Sequence, residues 1–154
     1  MCKIISFLVA TLLSIDVLAK DITSPEELLQ QYIELGDNFD PSVANLYSDR
    51  AKIMVFRKYP HGSERQMELS GLQWKSLLSK MMPAAKAVND ISTYKDIEIL
   101  KVGRSFKVKA NRYSERKCYL DTGYYMVIEP SDSGGLLITE EYMETQPESN
   151  CVAK

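Results

Sequence analysis

The chain has 154 residues, a formal net charge of −2 at pH 7, three cysteines and one histidine. So mild a charge excludes the strongly basic face that phosphate-backbone binding demands, and nucleic acid is not an expected partner. A single histidine leaves no multi-histidine metal site, and no glycine-rich phosphate loop, nucleophile elbow or zincin motif occurs; neither a metal nor a cofactor is implied.

The opening MCKIISFLVATLLSIDVLAKD carries Lys3, an apolar run from Ile4 to Ile15, and Val17 and Ala19 before Lys20. This is the pattern of a secretory signal peptide, residues 1–19, cleaved after Ala19. The uninterrupted run is shorter than the roughly 20 residues a bilayer crossing needs, and Asp16 interrupts it, so no membrane association is expected after cleavage. The expected location is the periplasm or the extracellular space. The mature chain is long enough for one core, a single domain over 20–146 with a tail over 147–154. Only Cys118 and Cys151 remain after cleavage. They form either one disulfide or two free thiols; an even pair in an oxidising compartment favours the bridge. No Cys-x-x-Cys spacing supports redox catalysis.

SPEELLQQYIELGD predicts a first helix. Ser24 is its N-cap, Pro25 its first residue and Glu27 the partner in a capping box, while Leu28, Leu29, Tyr32, Ile33 and Leu35 form its apolar face. Asp40-Pro41 repeats the device for a short second helix ending by Ser48-Asp49. Ile53 to Phe56 read as a largely buried strand, YPHGSE as a turn holding an exposed His61, and Gln66 to Leu69 as a hairpin partner. SGLQWKSLLSKMM predicts a third helix with a Ser70/Gln73 capping box, an inward face of Trp74, Leu77, Leu78 and Met81, and an end or kink at Pro83. From there the period is two. Strands are expected over 93–100, 106–113, 119–129 and 136–145, the last pair joined at PSDSGG. The class is α+β, a curved antiparallel sheet with three helices from the N-terminal half packed on its concave face.

This order of elements, together with the passage LYSDRAKI from helix to strand, resembles the nuclear transport factor two-like superfamily, a cone-shaped cystatin-like fold that also holds ketosteroid isomerases and polyketide cyclases. The resemblance spans about residues 24–145 and implies a fold more than an activity, because the fold hosts enzymes and binding modules alike. The isomerase relatives use a helix tyrosine, a carboxylate base on the first strand and a proton donor on a later strand. Tyr32 falls at the first position, Val55 at the second and Tyr125 near the third. Valine cannot accept a proton, and Met54 and Phe56 supply no substitute, so the usual mechanism is not expected and no catalytic residue is assigned. Asp49 then reads as a cap of the helix-to-strand turn.

Arg112 continues the inward parity of Phe106, Val108 and Ala110. An inward arginine needs a partner, either an anionic ligand or an internal carboxylate such as Glu140. The stretch from Lys101 to Lys117 is basic and 129–148 is acidic, which suits cross-strand pairing on a solvated face. Tyr32, Tyr47, Trp74, Tyr124, Tyr125 and Tyr142 could line the cone. The expected ligand site is Tyr32, Trp74, Arg112 and Tyr125, with Trp74 as floor, the tyrosines as hydrogen-bond donors and Arg112 as charge anchor. A small, mostly apolar molecule with an acyl or aromatic part is the expected ligand, and a homodimer through the sheet face is a candidate assembly. Two other readings stay open: a cyclase, isomerase or dehydratase using Asp121 or Glu140, and an interaction subunit acting through its sheet face.

Overall fold

The computed structural model describes residues 21–152, so the proposed signal segment lies outside the described residues. Helix α1 (Pro25–Asp37) starts where the sequence places it, with the Ser24 hydroxyl accepting the Glu27 amide at 3.1 Å. Asp40 accepts the Ser42 amide at 2.8 Å and starts a 3-10 helix, Pro41–Leu46, in place of a short α-helix. Six residues offer little room for the wider α turn before strand β1 (Tyr47–Lys58) begins directly at its end. Asp49 is therefore a strand residue. It caps nothing and instead pairs with Lys75 at 2.6 Å.

Strand β2 (Glu64–Ser70) folds back on β1, and Ser70 and Gln73 form the reciprocal cap of α2 (Gly71–Ala87). This helix continues through Pro83. The residue whose carbonyl the proline cannot bond, Ser79, is exposed, so water can satisfy that group. Met81 is exposed too, whereas Trp74 and Leu78 are buried. Strands β3 (Ser92–Val102), β4 (Ser105–Ser114), β5 (Tyr119–Asp121), β6 (Tyr125–Pro130) and β7 (Leu136–Thr145) complete the chain. The strand expected over 119–129 is split at Thr122-Gly123, where the Asp121 carboxylate accepts the Gly123 amide at 2.9 Å and turns the backbone.

The strand order is β2-β1-β7-β6-β4-β3, with β5 also on β4. All neighbours are antiparallel except β1 and β7, which run parallel. Both helices lie across one face, α1 against β3 and β7, α2 against β1 and β2. Ala51, Ile53 and Val55 alternate into that face with Val108, Ala110, Met126 and Ile128; Met54 and Phe56 lie on the half-buried outer side. Strand β7 changes parity midway. Leu136 and Ile138 point inward, a register irregularity follows opposite Val127 and Ile128, and beyond it Glu141 and Met143 point inward.

The tail is tied down. Cys118 and Cys151 form a disulfide with a Cα–Cα distance of 5.0 Å, the Asn150 amide donates to the Lys117 carbonyl at 2.8 Å, and Lys117 Nζ donates to the Pro147 carbonyl at 2.7 Å. No helix of the described residues is long and apolar enough to cross a membrane.

Candidate functional site

Between α1, α2 and the inner face of the sheet lies a cavity of about 400 Å³. Its apolar wall includes Ile33, Val43, Trp74, Leu78 and Met143, and the phenol rings of Tyr32, Tyr47 and Tyr94 add an aromatic side. Asp37, Arg57, Asp90, Lys117 and Glu144, all exposed or half-buried, are charged groups on its rim. Of the four residues proposed from sequence, the fold brings Tyr32, Trp74 and Arg112 to this cavity. Tyr125 is not with them. It stacks on Tyr142 at 5.6 Å on the outer face, donates to Glu140 at 2.6 Å and lies under the Lys107 ammonium. The cause is strand alternation: buried Met126 and Ile128 take the inner parity of β6.

Arg112 has a side chain only 13% exposed and points inward from β4. Its counter-ion is Asp121, at 3.5 Å, rather than Glu140. Its remaining terminal contacts are the Glu144 carbonyl at 2.5 Å and the Ser92 hydroxyl at 3.3 Å, and its Nε has no partner. Burial works against the guanidinium charge, but Tyr94 and Asp121 outweigh it and its pKa is raised. Asp121 is fully buried and also accepts the backbone amides of Gly123 and Glu144, at 2.9 and 2.7 Å. Burial raises its pKa, with the Glu144 amide and Arg112 pulling the other way.

A second buried carboxylate was not anticipated from sequence. Glu141 is fully buried and accepts three phenols: Tyr32 at 2.9 Å and Tyr124 at 2.8 Å on one oxygen, Tyr47 at 2.5 Å on the other. Tyr94 donates in turn to the Tyr32 hydroxyl at 3.4 Å, so a chain of hydroxyls runs from the cavity wall to the carboxylate. Burial raises the Glu141 pKa while the three phenols restrain the rise. Burial and the adjacent carboxylate push Tyr32, Tyr47 and Tyr124 well above the usual phenol range, and burial puts Tyr94 at about 12, so all four keep their protons as donors near neutral pH. The sequence signal was the pair of doublets Tyr124-Tyr125 and Glu140-Glu141. Whichever parity a strand adopts, one member of an adjacent pair faces the core.

Trp74 is 7% exposed, its ring edge-on to Tyr47 at 6.4 Å, and its indole Nε1 is buried against the Tyr47 hydroxyl. Val55 packs inward and is paired with Met143 across the sheet. Chemically, the site is an apolar, ring-lined cavity whose carboxylates are already saturated with donors.

Among solved structures, an NTF2-like protein of unknown function from Pseudomonas putida superposes with a TM-score of 0.56 at 10% identity, over 77% of this chain and 82% of that one. An NTF2-like protein with a cystatin-like fold from Novosphingobium aromaticivorans gives 0.52 at 11% identity, over 80% of each chain. This chain has the nuclear transport factor two-like fold. The yeast UBP3-associated protein BRE5 is also similar, with a TM-score of 0.53 at 16% identity over 75% of this chain and 88% of that one. No family model and no curated protein matches the chain. At these identities the nuclear transport factor two-like likeness carries the fold alone.

Proposed function

We propose that this is an exported nuclear transport factor two-like domain that binds a small, mostly apolar molecule in its cavity without catalysing a reaction on it. The observation that carries the reading is the cavity of about 400 Å³ itself, walled by the rings of Tyr32, Tyr47, Trp74 and Tyr94 together with Ile33, Val43, Leu78 and Met143. The aromatic and aliphatic lining suits the body of an acyl or ring-bearing molecule. The absence of a free base among Asp121 and Glu141, each held by several donors, supports binding over proton transfer. The signal-like leader and the Cys118–Cys151 bridge support export.

A dye titration tests the reading. Phenylnaphthylamine is uncharged and brightens in apolar surroundings; a saturable rise with one dye per chain is expected, together with a change in emission from Trp74, the single tryptophan. Gly36 lines the cavity, and a Cβ built there meets only open space, so Gly36→Leu should project into the cavity without a clash. That variant should lose the dye while keeping or gaining stability, by up to about 1 kcal/mol from helix propensity. Undiminished dye binding by Gly36→Leu, or none by the wild type, would remove the cavity as the site.

One feature favours a second reading, a proton-transfer enzyme: the hydroxyl chain Tyr94–Tyr32–Glu141 connects the cavity wall to a buried carboxylate. Turnover of a carbonyl substrate that vanishes in Glu141→Gln would move the assignment there.

A further inference from the structure

The charges around the cavity are not evenly answered. Arg112 faces Asp121 at 3.5 Å, Asp90 faces Arg116 at 3.6 Å, and the Glu144 carboxylate is held by Lys58 at 3.0 Å and the Tyr119 hydroxyl at 2.7 Å. Two cations on the rim have no carboxylate partner among the described residues. Arg57 donates from Nε to the Thr145 hydroxyl at 3.5 Å, and Lys117 donates from Nζ to the Pro147 carbonyl at 2.7 Å. Both acceptors are uncharged, so each cation keeps its full charge, and the terminal nitrogens of Arg57 and two N–H groups of Lys117 stay open to a ligand.

The two acceptors bring both cations to one edge of the cavity. Thr145 and Pro147 are two residues apart, which sets their Cα atoms within about 7 Å of each other. Thr145 and the intervening Gln146 line the cavity, as Arg57 and Lys117 do. Arg57 is exposed and Lys117 half-buried, so an ion held there keeps part of its hydration and escapes the full cost of burying a charge. The opposite sign lies deeper. Glu141 is fully buried and accepts from Tyr32 and Tyr47, whose rings line the cavity, so an anionic group carried inward would approach a second carboxylate. Asp37, exposed at the end of α1, is the rim acid with no ion pair among the described residues and offsets at most one of the two cations.

We propose that Arg57 and Lys117 form a cationic mouth that selects anionic amphiphiles: a carboxylate head is held at the rim by the two side chains while its acyl or ring-bearing body fills the cavity. This rests on the ligand-binding proposal and adds the charge class of the ligand and the direction in which it lies.

Decanoate and decylammonium test it, since they share an alkyl body and carry opposite charges at neutral pH. Each is titrated, at low ionic strength and below micelle formation, against phenylnaphthylamine bound to the purified protein. Decanoate should displace the dye at a concentration about tenfold or more below that of decylammonium, because each cation attracts one head and repels the other. Raising the salt to about 0.5 M should shrink that preference. In R57Q/K117Q the preference should fall to about twofold or less. R57Q alone should lose part of it, and this variant leaves the Lys117–Pro147 contact in place should its loss loosen the tail. Equal displacement by the two heads, a stronger decylammonium, or a decanoate preference that survives undiminished in both variants overturns the cationic mouth while dye binding stands. If the dye itself does not bind, the ligand-binding reading falls and the charge selection falls with it.

Discussion

Glu141 is the residue whose surroundings differ most from what its sequence neighbourhood suggests, since it is a carboxylate with no exposure, held by three phenols. Its native pKa is raised above the ordinary 4.5, with burial the largest cause. The unfolded chain therefore releases this proton at lower pH than the native protein does. Stability contributed by the protonated form is complete below the unfolded pKa and is lost as pH climbs through the raised native value. Denaturant unfolding of wild type and Glu141→Gln, from about pH 4 to about pH 8, should show a fall in wild-type stability that the variant lacks. Asp121, whose pKa is also raised, is present in both proteins and largely cancels in the difference. Parallel profiles would show that Glu141 does not titrate differently on unfolding. The site was half legible at this scale: Tyr32, Trp74 and Arg112 follow from helix faces and strand parity. Glu141 and the Asp121 partner of Arg112 do not, because both depend on where β7 and β5 meet other strands.

At the scale of elements, caps and turns were readable because their chemistry is local. Ser24, Asp40 and Ser70 each accept an amide two or three residues on, and PSDSGG closes its hairpin through Ser131 and Gly135. The junction of β1 and α2 adds a constraint that no local pattern announces. A Cβ on Gly71 would collide with the Ser48 carbonyl oxygen and come within 2.9 Å of the Ala51 nitrogen. Gly71→Ala should therefore destabilise the protein by about 3 kcal/mol or more, despite placing a better helix former in α2. Ser70→Ala, which removes only the cap, should cost about 1 kcal/mol. Thermal unfolding of both variants compares them directly; a harmless Gly71→Ala would mean that the two elements are not in close approach. Pro83 gives the opposite lesson, a helix breaker tolerated because the carbonyl it orphans is on an exposed residue.

For the whole molecule, the Cys118–Cys151 bridge spans 33 residues and fastens the tail beside β5. Its loss through Cys151→Ser should lower stability by about 2–4 kcal/mol, chiefly by freeing the unfolded chain. Equal denaturation midpoints for wild type and variant would show that the bridge adds nothing to stability. Helix caps, the change to a strand period after Ser92 and the α+β class were decided by neighbours within a few residues, while composition only left two cysteines able to pair. The cavity, the outward turn of Tyr125, the Arg112–Asp121 pair and the three-tyrosine cradle of Glu141 were decided only when the strands met. A side-chain period of two means that one register irregularity in β7 exchanges the faces of every residue beyond it, and a buried charge takes whichever partner the assembled sheet delivers.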